Sequence, residues 1–404
     1  MAQTPLTWTE VRDRFMSTNP TLMAGRIGID ESRAEEITAY LRPNPDFTGS
    51  VDQINPFTTQ PPPTGGPNEY SPFAYAFPSI SFDYLHERRH KRELRRDSAR
   101  EATDIAVSQL DDQQRALLFN LRSAFVQTLQ QKATLDLARE NLAYYDRILQ
   151  VSRGRLQLGD IAQVDLDRLE LQRVQYETDI QNATVALRTA KIQLLMLLND
   201  RTPTDRFDVT GPYDFPQRIA SLEEYRKQAL DTRPDLRAAM QSIEKAQTDH
   251  RLAGANGSTD PTFSVDFARD PPIPVLMGVS VSIPLRIFDR NQGEKARTQL
   301  DIGRNERLRD ATQAQVFNDV DSAYAAIESN LILLKSYKEN YLEQAVHVRD
   351  TVLGAYQLGG ASLLDFLQAQ QDYRAVRLNY VSLIGSYLTA AAQLNLAVGH
   401  EALP

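Results

Sequence analysis

The sequence predicts a mainly α-helical protein with a smaller β portion, built from a duplicated unit of two strands followed by a long helical hairpin. Three observations carry this. One short stretch occurs twice, each copy is followed by an apolar seam of helical period, and each is preceded by a pair of segments with strand alternation. The repeated stretch reads Arg155-Leu-Gln-Leu-Gly-Asp160 and Ala355-Tyr-Gln-Leu-Gly-Gly360, and Gln157, Leu158, Gly159 and Asp165 match Gln357, Leu358, Gly359 and Asp365 at a constant offset of 200. Gly159 and Gly359 mark the two bends, where a tight turn needs a positive φ that a Cβ penalises.

After the second bend, Phe366, Ala369, Tyr373, Val376, Tyr380, Leu383, Tyr387, Ala390, Leu394 and Ala397 alternate spacings of three and four, the seam of a coiled coil. After the first, Leu166, Leu169, Tyr176, Ile180, Ala183, Leu187, Ala190, Leu194 and Leu197 keep the same register, with Arg173 as a polar interruption.

Composition narrows the function. Net charge of −8 argues against nucleic acid as the main partner, and zero cysteines exclude disulfides, thiolate metal sites, cysteine nucleophiles and a lipidated N-terminal cysteine for the chain as given. No window of about 18 apolar residues is expected to supply a transmembrane helix. The start, Met-Ala-Gln-Thr-Pro, lacks the basic and apolar regions of a secretion signal, which fits either a cytoplasmic protein or one whose signal is absent from this sequence.

Taken in order, residues 1–43 form a polar helical segment broken at Asn19-Pro20. Residues 44–85 hold the first strand pair: one strand alternates Phe47 and Val51 against Asp46, Thr48 and Ser50, and the other runs from Phe73 to Leu85 after a loop rich in proline and glycine at 61–67. Residues 86–200 form the first long hairpin with its tip at 155–160; its first arm, from about His86, is free of proline and spans roughly 100 Å at 1.5 Å per residue. Residues 201–220, with Pro203, Gly211, Pro212 and Pro216, read as a linker or small side layer, and residues 221–260 as a helix broken at Arg233-Pro234.

The second strand pair, 261–288, sets Phe263, Val265 and Phe267 against Thr262, Ser264 and Asp266, then from Val275 to Leu285 sets Val275, Met277, Val279, Val281, Ile283 and Leu285 against Gly278, Ser280, Ser282 and Pro284. Such strands suit a membrane wall with a lipid side and a water side, and suit a half-buried hairpin on a soluble core equally well. Four strands cannot close a barrel, so on the membrane reading several chains each contribute a set. The second hairpin covers 289–399 with its tip at 355–360, and 400–404 is a tail.

With these features in place, the chain from about Leu6 to Gly399 resembles the TolC-like outer-membrane efflux proteins. The doubled Leu-Gly bend with Asp165 or Asp365 six residues on, the doubled strand pair, and Ser282-Ile-Pro-Leu-Arg-Ile-Phe-Asp-Arg-Asn-Gln-Gly293 carry the resemblance together. Asp289-Arg-Asn-Gln-Gly293 is most similar to the branch serving resistance-nodulation-division pumps for heavy metals.

The resemblance implies a homotrimer in outer-membrane lipid, with a twelve-stranded barrel continuous with a helical tube crossing the periplasm. It implies a passive exit duct with no cofactor and no catalytic centre, fed by an inner-membrane pump through a periplasmic adaptor. Residues 201–218 and the chain ends would form a girdle. Leu158, Gly159, Leu358 and Gly359 would meet the adaptor, Asp165 and Asp365 would form acidic rings at the narrow end, and Tyr356 would bond Asp165 to hold it closed. Ala361 and Gln368 stand where relatives carry an arginine and a second acid, so the gate here is expected to have fewer polar links.

Each assignment has a structural counterpart: a turn glycine with a packed leucine, or a carboxylate favoured by about 0.3–1 kcal/mol in a first helical turn. The competing classes are a soluble coiled-coil scaffold, a duct of the same family for drugs or other small molecules, and a zinc peptidase. His86-Glu-Arg-Arg-His90 fits HExxH in form, yet it straddles a strand-to-helix junction among Arg88, Arg89, Lys91, Arg92, Arg95 and Arg96, which repel a cation. His250, His347 and His400 show no ligand spacing. The basic run, continued by Arg100, reads as a solvated helix start that on the family reading meets anionic headgroups.

Overall fold

The structure is a computed structural model that describes residues 4–61, 65–73, 76–216, 219–270 and 273–403. Parts of the expected proline-rich loop, of the Phe73–Leu85 run (Ala74 and Tyr75), of the 201–220 segment and of the turn at 271–272 lie outside them. The chain divides into two compact units, one of Met1–Ile27, Ser108–Arg237 and Asp310–Pro404, the other of Gly28–Val107 and Ala238–Arg309.

The second unit holds the sheet. Strands β1 (Asp46–Asp52), β4 (Phe77–Leu85), β5 (Thr262–Asp270) and β6 (Ile273–Ser282) pair antiparallel in the order β1-β4-β5-β6. Two short strands, β2 (Thr59–Gln60) and β3 (Glu69–Tyr70), make a separate ribbon that the sequence pattern does not announce. Register aligns the alternation across the four strands. Phe47, Phe82, Val265 and Val279 form one row, and Ile80, Phe267 and Met277 the next, while Ser81 with Asp266 and Asp83 with Ser264 occupy the opposite face.

The Phe47 and Phe82 rings lie 5.0 Å apart, and on the other face the Ser50 and Ser79 hydroxyls share a 2.9 Å hydrogen bond. The apolar face is uncovered: Val279 is 75% exposed, Met277 66% and Phe47 62%. Among the described residues, β1 and β6 each leave one edge unpaired.

Helix α2 (Pro20–Tyr40), which enters this unit at Gly28, precedes β1, and α3 (Lys91–Leu158), which leaves it after Val107, starts five residues later than expected. Arg89 and His90 both take positive φ, near 57° and 56°, which stops a helix from continuing back through them. The basic run is mostly paired rather than solvated. Lys91, whose side chain is 5% exposed, donates to Asp260 at 2.5 Å and to the Ser258 carbonyl at 3.0 Å, and Arg95 chelates Glu87. Arg92 and Arg96 lie over the Tyr40 ring at 4.3 and 5.1 Å. The strand-to-helix junction is thus clamped by charge-assisted bonds that net charge does not reveal.

In the first unit, α1 (Trp8–Thr18) begins with a capping box between Thr7 and Glu10 and ends at Asn19, as the Asn19-Pro20 break predicts. The 201–220 segment is more than a linker. Its Phe207, Val209 and Phe215 are buried, and Leu6 and Val209 form a parallel bridge, so it contributes to the core with Val11, Phe15, Leu121 and Leu194.

Helices α5 (Leu222–Thr232) and α6 (Pro234–Asn256) meet at the expected proline break. There Arg233, with 2% of its side chain exposed, chelates Asp235, bonds Asp319 at 2.9 Å and donates to the Ala397 carbonyl at 3.2 Å. The joint between two helices thereby caps the end of α9 (Leu363–Val398).

Both seams face inward. Leu169 and Leu194 of α4 (Gln163–Leu197), and Phe366, Tyr387 and Leu394 of α9, are at most 1% exposed. The structure corrects one expectation here: α9 is long and apolar enough by composition to cross a membrane, but 56% of that apolar window is buried within the protein, as a core helix requires. Where α3 runs unbroken, the second copy is α7 (Gln292–Ser336), a π-helical turn at Tyr337–Tyr341, and α8 (Leu342–Gln357). The wider turn presents Tyr337, whose ring stacks with Tyr380 at 6.5 Å.

Candidate functional site

The two bends are one structure made twice. Gly159 (φ +80°) and Gly359 (φ +78°) each receive the end of a helix in a Schellman turn. The Gly159 amide donates to the Leu156 carbonyl at 3.0 Å and that of Asp160 to Arg155 at 2.9 Å; the Gly359 amide donates to Tyr356 at 3.2 Å and that of Gly360 to Ala355 at 2.8 Å. No heavy atom stands within 4 Å of a Cβ built at either glycine, so backbone conformation, not space, requires them. Leu158 (79% exposed), Leu358 (89%), Val164 (54%) and Leu364 (74%) cluster around these turns. Each tip therefore presents large apolar side chains that this chain itself leaves uncovered among the described residues.

The two aspartates are not equivalent. Asp365 closes a capping box: its carboxylate accepts from the Ser362 amide at 3.0 Å and hydroxyl at 2.7 Å, and its own amide donates to Ser362 Oγ at 3.2 Å. These bonds hold its carboxyl below the usual carboxylate range. In the first copy Ala162 stands where Ser362 does, and no side chain caps α4. The Asp165 carboxylate instead faces Arg168, at 3.8 Å. The Ser362-x-x-Asp365 pattern against Ala162-x-x-Asp165 was the sequence signal for this difference, and the repeat comparison passed over it.

Beneath the tips, Tyr145, Ile148, Leu149, Leu166, Leu169, Tyr176, Leu363 and Phe366 form a core that includes Tyr356. The Tyr356 ring stacks on Phe366 at 5.5 Å and 12°, with the Arg155 guanidinium 5.5 Å above it. The hydrogen bond between Tyr356 and Asp165 implied by the resemblance is not formed within the chain. The Tyr356 hydroxyl is buried with no partner among the described residues, and burial raises its pKa, outweighing the lowering by Arg155, while Asp165 adds to the rise. It borders a cavity of about 180 Å³ with Tyr144, Arg155 and Gln357.

Arginine–aromatic and ionic contacts tie the two hairpins together instead. Arg349 of α8 lies between the rings of Tyr144 (4.7 Å) and Tyr373 (4.2 Å). Arg374 of α9 covers Tyr176 at 4.3 Å and pairs with Asp179 of α4, and Arg377 reaches Glu140 of α3 at 3.2 Å. Arg173, the interruption of the first seam, bonds Asp146 at 2.6 Å. These pairings are not legible in the sequence, because each joins residues on different helices.

The peptidase pattern does not assemble. His90 is exposed and left-handed, Glu87 is held by Arg95, and both histidines precede α3. Among the described residues there is no group of three or more histidine or acidic side chains able to hold a metal.

The structure combines a duplicated helical hairpin with a four-stranded amphipathic sheet whose outer strands, among the described residues, each keep an unpaired edge. Residues 225–400 match the family described as Outer membrane efflux protein. The cobalt-zinc-cadmium resistance protein CzcC of Cupriavidus metallidurans is 24% identical over 313 residues, covering 76% of this chain and 74% of that protein. A membrane protein from Pseudomonas aeruginosa superposes with a TM-score of 0.78 at 16% identity, over 97% of this chain and 90% of the other. CusC superposes with a TM-score of 0.77 at 15% identity, over 97% and 92%. Residues 225–400 thus carry the outer membrane efflux family match, and the whole chain shares its fold with these solved structures.

Proposed function

We propose that three copies of this chain join their four-stranded sheets into a twelve-stranded barrel, through which an adaptor and an inner-membrane resistance-nodulation-division pump expel heavy-metal cations. The sheet carries this reading. Among the described residues its apolar face has no covering layer and its two edges are unpaired, which in water is an aggregation hazard and in lipid is a barrel wall awaiting its neighbours. The similarity to a cobalt-zinc-cadmium resistance protein supports metal cargo.

In this reading Leu158, Gly159, Leu358 and Gly359 form the adaptor-contact tips, and Tyr356, Asp165 and Asp365 line the periplasmic aperture. Repeated by threefold symmetry, Asp165 and Asp365 form rings of like charge that favour cations. Opening separates the hairpins and breaks the Arg349, Arg374 and Arg377 contacts, a cost that adaptor contacts made only in the open state must offset. The test is expression in a strain lacking its own duct, with the cognate pump and adaptor. Restored resistance to cobalt, zinc or cadmium, together with a detergent-extracted trimer, is expected; a monomer in the soluble fraction sinks the proposal.

A further inference from the structure

At the helical end of the sheet, pairing consumes most but not all of the basic residues. Lys91, Arg92, Arg95 and Arg96 have acidic partners, whereas no acidic side chain among the described residues pairs with the side chains of Arg42, Arg88 or Arg89. All three line one cavity of about 500 Å³, together with Arg92, Tyr84 and Glu93.

The backbone builds this site. Arg42 lies just before β1 and Arg88 and Arg89 just after β4, two strands paired at this end through Asp46 and Asp83. The Arg88 amide is fixed on Asp260 at 2.9 Å, and the positive φ of Arg89 and His90 turns the chain there before α3 begins. Four arginines border the cavity against two carboxylates, Glu87 and Glu93, and Glu87 is already chelated by Arg95. The result is a local cationic hollow in a protein of net charge −8.

Its surroundings name the ligand class. The last apolar row of the sheet, Tyr84, Phe263 and Val281, ends at this level. Past it stand uncovered apolar side chains, Leu41 (61% exposed), Leu285 (79%) and Phe288 (91%). Unpaired guanidinium groups at the rim of an apolar band, beside a tyrosine, match a phosphate carried on acyl chains better than a free anion.

We infer that this hollow binds the headgroup phosphate of an anionic phospholipid in the leaflet on the helical side of the membrane, pinning the barrel at a fixed depth. The inference rests on the membrane reading of the sheet.

The experiment uses the full chain, purified in detergent and reconstituted in nanodiscs, with bound lipid counted by native mass spectrometry. Dioleoyl phosphatidylglycerol is expected to be retained about tenfold better than dioleoyl phosphatidylcholine. The triple variant Arg42→Gln, Arg88→Gln, Arg89→Gln should erase that preference, while Arg139→Gln, at an exposed helix position, should keep it. In the unaltered protein, raising salt should weaken the preference, which supplies a test even where the triple variant fails to fold.

Equal retention of the two lipids, or a preference indifferent to salt, overturns the inference and leaves the duct reading standing. Full displacement of the lipid by inorganic phosphate at equal concentration also overturns it, by making a free anion the ligand. Failure to enter nanodiscs overturns the membrane reading itself.

Discussion

Replacing Tyr356 by phenylalanine tests the aperture with a result whose sign decides the matter. In the observed chain the Tyr356 hydroxyl is buried without a partner, while its ring is stacked on Phe366. An unsatisfied buried hydroxyl costs about 1–3 kcal/mol, and phenylalanine keeps the stacked ring without that cost. If opening returns the hydroxyl to water, Tyr356→Phe stabilises the closed tip by about 1.4 kcal/mol and lowers the open fraction about tenfold. A tyrosine bonded to the Asp165 carboxylate gives the reverse, a loss of about 1.5–3 kcal/mol and a leak raised by tenfold or more.

The assay is leak conductance of the purified protein in planar bilayers without adaptor. Phe366→Ala is the positive control: Phe366 is fully buried, and its truncation removes about 3–5 kcal/mol of packing beneath the tip. A rise in leak for Tyr356→Phe refutes the argument from the orphaned hydroxyl and restores the Tyr356–Asp165 link.

Gly359→Ala places a Cβ at φ +78° and should cost about 1–2 kcal/mol, seen as faster hydrogen exchange at the Gly360 amide; unchanged exchange contradicts the turn assignment. Asp260→Asn leaves the Lys91 ammonium buried and unpaired, so the second unit should lose about 3–5 kcal/mol, read as a lowered thermal midpoint, with a loss below about 1 kcal/mol counting against the clamp. Acid should weaken the protein through Asp235 and Asp260. Burial raises both carboxyl pKa values, but Arg233 in one case and Lys91 in the other outweigh it and leave them depressed. With folded values below the unfolded value of about 3.9, the stabilisation is complete well above that pH and is lost as pH falls through it toward the folded pKa. The thermal midpoint should hold between about pH 8 and 6 and drop below about pH 5; a rise on acidification contradicts the signs.

Much of the architecture was written locally. The three-and-four spacing of Leu166–Leu197 and Phe366–Ala397, the alternation in β5 and β6, and the breaks at Asn19-Pro20 and Arg233-Pro234 are properties of a few neighbouring residues, and the structure follows each of them. The two bends were legible for the same reason, since a positive φ at Gly159 and Gly359 is decided within one helical turn. The π-helical turn at Tyr337–Tyr341 was not, because its backbone departs from a pattern that the sequence continues.

What only tertiary structure decided are the pairings between distant segments. Lys91 with Asp260, Arg233 with Asp319, and Arg374 with Asp179 join residues far apart in the chain, and charge counts alone read them as solvated surface. The same holds for Tyr356, whose ring found Phe366 while its hydroxyl found nothing, and for 201–220, whose Phe207 and Val209 packed into a core built by other helices. Backbone conformation is set by near neighbours, so a sequence states it directly. The partner of a long charged side chain is set by which helices come to lie side by side, and that is settled by the burial of the whole apolar set at once.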